Sequence, residues 1–386
     1  MILRRALARF QNDLKSCFDR IISHLAQVNN QSYGLPEEFA KIIGTFLYEA
    51  IYYIKTGMGV SEDGYQHTRD IGVWGTGQGS AASMYIWGMI VSRMIDLHDR
   101  FGCGAKYHNI ITGREIIIRM LSFVDDCNLS NNGEKYETLK DILNRTQSDA
   151  QLWNDIIRSS GGALELSKYF MQVIYYEFAS NGTPFIGPPR DDLHVEIINR
   201  NNNQKVRINS ISSYDTYRSL GTVQGIAPKQ REQFKQLQQK AKEHTKALLS
   251  SQASSQQAWL HHILCFVPSV VYPTAACHLN EYQLDQLQKG YISVLMNKME
   301  FVRIYARDIV FGSKDLGGIG CLDMRIEAGL GATETIVRNL QTSGHGQTMI
   351  KTFLMTWQHV SGMSQPLMQY PKVRAPHLEG HFYTYI

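Results

Sequence analysis

The sequence predicts an α+β protein, with a sheet-containing part that ends near Pro228 and helices after it. Two observations carry this. Up to residue 228, β-branched and aromatic runs alternate with amphipathic stretches of helical period. From 229 to 362 the pattern is mostly helical, opening with "KQREQFKQLQQKAKEHTKALLSS", and after Pro366 it turns irregular. The chain has 386 residues, 43% hydrophobic and 19% charged, so it holds apolar material for two or three ordinary domains.

The elements follow in order. "LARFQND" (7–13) reads as a strand ending at Asp13. "PEEFAKIIGTFLYEAI" (36–51) starts a helix at Pro36 and puts Glu37 and Glu38 in its first turn, where carboxylates meet the positive end of the helix dipole. "SAASMYIWGMIVSRMIDLHDRF" (80–101) is a long helix, apolar over much of its surface and so buried. "EIIIRMLSFV" (115–124) reads as a central strand running straight into Asp125 and Asp126. "SDAQLWNDIIRSS" (148–160) is an amphipathic helix stopped by Gly161 and Gly162. "KYFMQVIYYEF" (168–178) is an aromatic-rich strand, and "LHVEII", "NRNNNQ" and "KVRIN" form a hairpin with a polar loop.

Composition excludes several classes. A net charge of +4 permits a nucleic-acid partner without requiring one. Cys17, Cys103, Cys127, Cys265, Cys277 and Cys321 lie far apart with no CxxC pair. That is the pattern of reduced thiols in an intracellular protein, nuclear or cytoplasmic, and not of a disulfide framework. The basic N-terminus lacks the apolar core of an export signal. The longest apolar run, near "AASMYIWGMIV", is about half of the ~20 residues a membrane span needs, so no membrane role is expected. His261, His262, Cys265, Cys277 and His278 have no zinc-finger spacing and fit packed helices better than a zinc site.

The functional question sits in "SFVDDCNLS" (122–130). Adjacent aspartates are common in turns, because Asp tolerates tight backbone geometry and bonds its own backbone. At the end of a buried strand the same pair is held on rigid backbone, as a metal site requires. Two Mg²⁺ ions about 3.5–4 Å apart need at least three converging carboxylate oxygens. Asp13, at the end of another strand, is a third acid of that kind. On these residues alone, turn and metal site both stay open.

"NDLKSCFDRI" (12–21), "GTGQGSAAS" (75–83) and "FVDD" (123–126), in that order, resemble motifs A, B and C of the palm of reverse transcriptases. "GGALELSKYF" (161–170) is similar to motif D, and "SLGT" (219–222) to the short Leu-Gly motif E before the thumb. The resemblance spans about residues 8 to 228. "GGIGCLDM" (317–324) resembles the Gly-Gly-x-Gly-Leu-Pro segment of non-LTR, LINE-type retrotransposon enzymes, with Cys321 and Leu322 in place of Leu-Pro. Phe123 stands where RNA-dependent RNA polymerases carry Gly, and Phe in place of Tyr leans to the non-LTR side. Group II intron maturases and telomerase-like enzymes stay open as relatives.

The resemblance implies a right-hand polymerase. Its palm (1–228) would be an antiparallel sheet with packed helices, followed by a helical thumb (229–300) and a C-terminal helical extension with an irregular tail (301–386). It implies RNA-directed DNA synthesis: two Mg²⁺ ions as cofactor, dNTPs as substrate, and an RNA template with a DNA primer as partners. Asp13, Asp125 and Asp126 would hold the ions, with the backbone carbonyl of Leu14 as a further oxygen. Phe18 matches the steric gate against a 2′-hydroxyl; by itself a Phe is more often core. Gln78 and Gly79 belong to the Gly-rich loop that approaches template–primer, and Met84 departs from the family's Pro. Phe123 would pack near the primer end. Lys168 is the candidate general acid for pyrophosphate, with a solvated strand-edge lysine as the plain alternative. Arg231, Lys235, Lys242 and Lys246 share one helix face, which either binds backbone phosphates or simply meets solvent.

Motif A begins twelve residues from Met1, so the fingers that precede it in the family are expected to be missing and the chain to be a fragment or truncated copy. No RNase H acid cluster, endonuclease module or zinc knuckle is evident. The alternative to an active polymerase is a non-catalytic, nucleic-acid-binding remnant of one.

Overall fold

The computed structural model describes residues 5–15, 17–66, 75, 81–165, 168–200, 202–225, 230–274, 277, 279–366 and 369. Two compact units form: Met1–Tyr107 with Ile117–Ser213, and His108–Ile116 with Tyr214–Ile386. Helices and strands both contribute, an α+β composition.

The first unit opens with β1 (Leu7–Asp13), α1 (Cys17–Arg20), α2 (Ser23–Ser32) and α3 (Glu37–Glu49). Four two-residue strands follow, β2 (Ile51–Tyr52), β3 (Lys55–Thr56), β4 (Gly59–Val60) and β5 (Tyr65–Gln66), and then α4 (Ala81–Phe101). Next come β6 (Ala105–His108) and β7 (Glu115–Ile118), each with residues assigned to both units, then β8 (Met120–Phe123), β9 (Asp126–Asn132) and α5 (Leu139–Ser159). β10 (Phe170–Ile174), β11 (Tyr176–Phe178), β12 (Pro184–Ile186), β13 (His194–Asn199) and β14 (Gln204–Ile211) complete it. A six-stranded sheet in the order β13-β14-β10-β1-β9-β8 is its centre, antiparallel except where β10 meets β14.

The core forms on one face of this sheet. Phe10 pairs with Leu129 on one side and Met171 on the other, and all three are fully buried. The Trp153 side chain of α5 lies within the same core and donates its indole N–H to Asn12 Oδ1 at 3.1 Å. β9 alternates: Cys127, Leu129 and Asn131 turn inward, while Asp126, Asn128 and Ser130 are half-buried on the opposite face. α5 begins at Leu139, earlier than the 148–160 pattern indicates, because Thr138 and Asp141 form a reciprocal capping box.

Two strand expectations are corrected. Residues 115–124 are not one central strand. The run breaks at Arg119, whose guanidinium turns to the Gly102 carbonyl at 2.9 Å, and only β8 joins the six-stranded sheet, at its edge. The 168–178 run breaks at Tyr175, whose hydroxyl donates to the Pro188 carbonyl at 2.6 Å, so β10 starts at Phe170 and Lys168 precedes the strand.

The other edge, β13, is closed by carboxamides. The Glu196 N–H donates to Gln147 Oε1 at 2.5 Å and the Ile198 N–H to Gln151 Oε1 at 2.8 Å, and both amides donate back to the carbonyls of those residues. Two glutamines one helical turn apart thus occupy backbone groups that an edge strand leaves open to another chain. Gln147→Ala with Gln151→Ala is expected to cost about 1–3 kcal/mol and to cause concentration-dependent self-association, read by urea titration and sedimentation velocity.

The second unit carries a hairpin of β15 (Tyr217–Ser219) and β16 (Thr222–Gln224). Its two turn residues, Leu220 and Gly221, have φ of 50° and 78°, the primed geometry that a two-residue hairpin prefers. Helices α6 (Gln230–Ser250), α7 (Ser255–His261), α8 (Val267–Thr274), α9 (Glu281–Lys298), α10 (Arg307–Phe311), α11 (Met324–Gln341) and α12 (His345–Val360) follow. Leu237, Phe266, Val270, Tyr291, Leu295, Met296 and Val310 are buried in their core. A wider π turn over His262–Phe266 joins α7 to α8, and the Val267 N–H reaches back to the His262 carbonyl. Pro268 lies just beyond and has no N–H to keep the narrower i→i−4 ladder. Among the described residues, no helix is long and apolar enough to cross a membrane.

Candidate active site

At one end of β1 and β9 the register sets Asp13 directly opposite Asp126. Alternation along β9 turns Asp126 away from the core, so the pair is carried on the open face of the sheet. Asp125 is adjacent, in the two-residue turn between Phe123 and Asp126. The stretch is therefore a hairpin bend, with Asp125 in the turn beside the paired Asp13 and Asp126.

The turn is strained and pinned. Val124 has φ of 57°, which a β-branched residue rarely adopts, while Asp125 does not share the positive φ. That is the II′ hairpin pattern, which normally calls for glycine at the first position. Trp87 of α4 donates its indole N–H to the Val124 carbonyl at 2.9 Å. The Val124 side chain packs on the core, so burial and this bond hold the conformation. Phe18 completes the bracket, half-buried and edge-on to Trp87 with ring centroids 6.2 Å apart.

Gly75, the first residue of the Gly-rich motif, is fastened to α1 and the bend that follows it. Its N–H donates to the Ile21 carbonyl at 2.7 Å, and its φ is +85°. A Cβ there would stand 2.9 Å from both the Phe18 oxygen and the Asp19 Cα, so only glycine fits. Gln78 and Gly79, the nucleotide- and template-binding candidates of that motif, lie outside the described residues, as does His278 of the set weighed for zinc.

Lys168 reaches the acids from the third side. Its ammonium sits 2.5 Å from Asp13 Oδ2, and its backbone N–H bonds to the Glu165 carbonyl in a turn ahead of β10. The bond and charge of Asp13 raise the lysine's pKa, with a smaller contribution from Asp125. The Asp126 carboxyl is held above the usual range by burial, then by the charges of Asp125 and Asp13, with Lys168 offsetting part of this. The buried Cys17 thiol is pushed up to about 11, first by burial and then by Asp125. Burial, and after it the neighbouring negative charges, thus set the electrostatics at Asp126.

Leu14 is buried and bridges to Leu164. The bonds flanking that bridge use the Asp13 carbonyl and the Lys15 N–H, and neither takes the Leu14 carbonyl. Phe123 is exposed on the edge strand β8. Arg231, Lys235, Lys242 and Lys246 belong to the other unit, all exposed on α6 within about 60° of arc.

Among the described residues, no three His, Cys, Asp or Glu side chains stand close enough together to hold a metal ion as they are oriented. In this arrangement Asp13 is engaged by Lys168. The donor chemistry nevertheless suits a hard cation: carboxylate oxygens that repel one another, on strands fixed by register. Trp87, which bonds the turn, and Glu165, whose backbone bonds Asp13 and Lys168, are the contacts that sequence reading missed. An indole on an apolar helix and an acid in a turn carry no local signal of these contacts.

No family model matches this chain, and no curated protein does. Among solved structures it is similar to telomerase from Candida tropicalis in complex with the TWJ fragment of telomeric RNA, at 14% identity and a TM-score of 0.34, over 91% of this chain and 49% of that one. It is also similar to the corresponding Candida albicans complex, at 11% identity and a TM-score of 0.37, over 89% of this chain and 49% of that one. For apo telomerase from Candida tropicalis the values are 13% and 0.33, over 91% and 52%. The chain spans about half the length of these proteins.

Proposed function

We propose that the chain carries out RNA-directed DNA synthesis as part of a non-LTR-type retroelement polymerase, joining dNTPs to a primer 3′-hydroxyl on an RNA template. The observation that supports this most is the register of β1 against β9, which sets Asp13 across from Asp126 and beside the turn bearing Asp125. These three acids, with the Leu14 carbonyl, would hold Mg²⁺. When bound, a pair of such ions supplies an activated primer hydroxyl and a neutralised pyrophosphate leaving group.

The chain's own residues do the remaining work. Burial and, after it, the charges of Asp125 and Asp13 raise Asp126, and the charge contribution would fall away with a cation among the carboxylates. Lys168, its proton held by Asp13, is a donor for the departing pyrophosphate. Phe18, backed by Trp87, offers a flat wall against a 2′-hydroxyl. Phe123, exposed beside the turn, gives the primer end an aromatic surface.

The decisive experiment is Mg²⁺-dependent dNTP incorporation on a primed RNA template, compared with Asp125→Ala. Incorporation that survives this substitution overturns the reading. A second reading, a nucleic-acid-binding protein without catalysis, is favoured by the exposed cations of α6. It predicts salt-dependent template–primer binding with no incorporation. In either case, replacing Arg231, Lys235, Lys242 and Lys246 together by Gln is expected to weaken binding and to flatten the log-affinity against log-salt slope by about 3. Fluorescence anisotropy across a salt series measures this.

A further inference from the structure

The second unit holds a line of hydrogen-bonded side chains that template copying does not use. The Tyr291 hydroxyl of α9 lies 2.9 Å from His261 Nδ1, at the end of α7. His261 Nε2 lies 3.3 Å from His244 Nδ1 on α6. His244 Nε2 lies 3.0 Å from the Ser269 hydroxyl of α8, which is 2.8 Å from the Phe266 carbonyl. Four helices meet through five groups.

Proton counting assigns every hydrogen. A carbonyl only accepts, so Ser269 gives its single O–H to Phe266 and accepts from His244. His244 therefore carries its proton on Nε2, and its Nδ1 is a lone pair. That lone pair takes the Nε2–H of His261, leaving His261 Nδ1 bare to accept the Tyr291 O–H. With both imidazoles neutral the line runs one way, from Tyr291 to the Phe266 carbonyl; one added proton can be taken up by reversing the His261 tautomer onto the Tyr291 oxygen, and a second cannot. Ser269 is spent on a backbone carbonyl, which disfavours reading Ser269–His244–His261 as a nucleophile with its base.

We propose that this line is an acid-released fastening of the helical unit: protonation of both His244 and His261 sets two N–H groups against each other and loosens α6 from α7, α8 and α9. Among the described residues, these charged and titratable groups surround it. Lys240 and Glu243 flank His244 on α6, His262 and Cys265 lie beside His261 in the π turn, and Tyr291 and Cys321 close the other side. His262 is fully buried, accepts the Leu322 N–H through Nε2 at 3.3 Å, and stacks on Phe266 and Tyr291. Burial is the main cause that lowers the pKa of all three histidines, and His262 falls to about 4. The folded chain thus binds fewer protons than the unfolded chain below the ordinary imidazole value of about 6.5. The stabilisation is complete above that pH and is lost as pH falls through the lowered folded values.

Long-range ¹H–¹⁵N spectra of the ¹⁵N-histidine-labelled chain test the proton assignment directly. At pH 7.5 both His244 and His261 are expected as Nε2–H tautomers. Hydrogen exchange of the α6–α9 amides, corrected for intrinsic rate, is expected to lose about tenfold protection between pH 7 and pH 5, and clearly less in His244→Gln. Should that variant not fold, the tautomers of the natural chain still decide. An Nδ1–H tautomer at either ring, or protection unchanged at pH 5, overturns the proposal. So does stoichiometric Zn²⁺ that shifts both imidazoles, which would mark them as a metal pair.

Discussion

Asp125→Ala is expected to lower Mg²⁺-dependent dNTP incorporation by about three orders of magnitude or more while leaving the fold intact. Losing one carboxylate from a three-acid set removes several kcal/mol of charge stabilisation, and each 1.36 kcal/mol is tenfold in rate. The fold should tolerate the change. Asp125 lies in a turn whose shape is held through Val124, by the Trp87 bond and by core packing, and not through the aspartate. Circular dichroism checks the fold, and single-turnover primer extension checks the rate. On the proposed reading Lys168→Ala should cost less, about a hundredfold, and mainly in the chemical step, because it would remove a proton donor and not a metal ligand. Equal losses in the two variants would argue that Lys168 acts by positioning Asp13, to which it is bonded.

The largest structural loss is expected from Trp153→Ala, at about 3–5 kcal/mol. Trp153 is fully buried beneath the sheet and meets His98 edge-on with ring centroids 6.0 Å apart. Truncation opens a cavity in the core that also holds Phe10, Leu129 and Met171, and strips Asn12 Oδ1 of its donor. Trp153→Phe keeps much of the volume and loses the hydrogen bond, so it should cost about 1–3 kcal/mol. Urea unfolding of both variants separates the packing contribution from the hydrogen bond. A cost for Trp153→Ala below that of Trp153→Phe would contradict this account of the core.

Periodicity made most elements legible. The strand at Leu7–Asp13, the helices over residues 37–49 and 81–101, and the hairpin of β13 and β14 lie close to where alternation and helical spacing put them. The misreadings share one cause. Residues 115–124 and 168–178 look continuous because each is apolar throughout, yet Arg119 and Tyr175 turn to distant carbonyls and divide them. Likewise, the α5 start depends on a Thr138–Asp141 box, four residues that a search for apolar spacing passes over.

By itself, the sequence indicated most element types and the acids near strand ends, since these follow from local period and turn chemistry. Tertiary structure alone decided that Asp13 faces Asp126, that Lys168 holds Asp13, and that an indole from α4 clamps the turn. Those are matters of strand register and of contacts between residues tens to more than a hundred positions apart. A one-residue slip of β1 against β9 would turn Asp13 to the other face without changing a letter of the sequence.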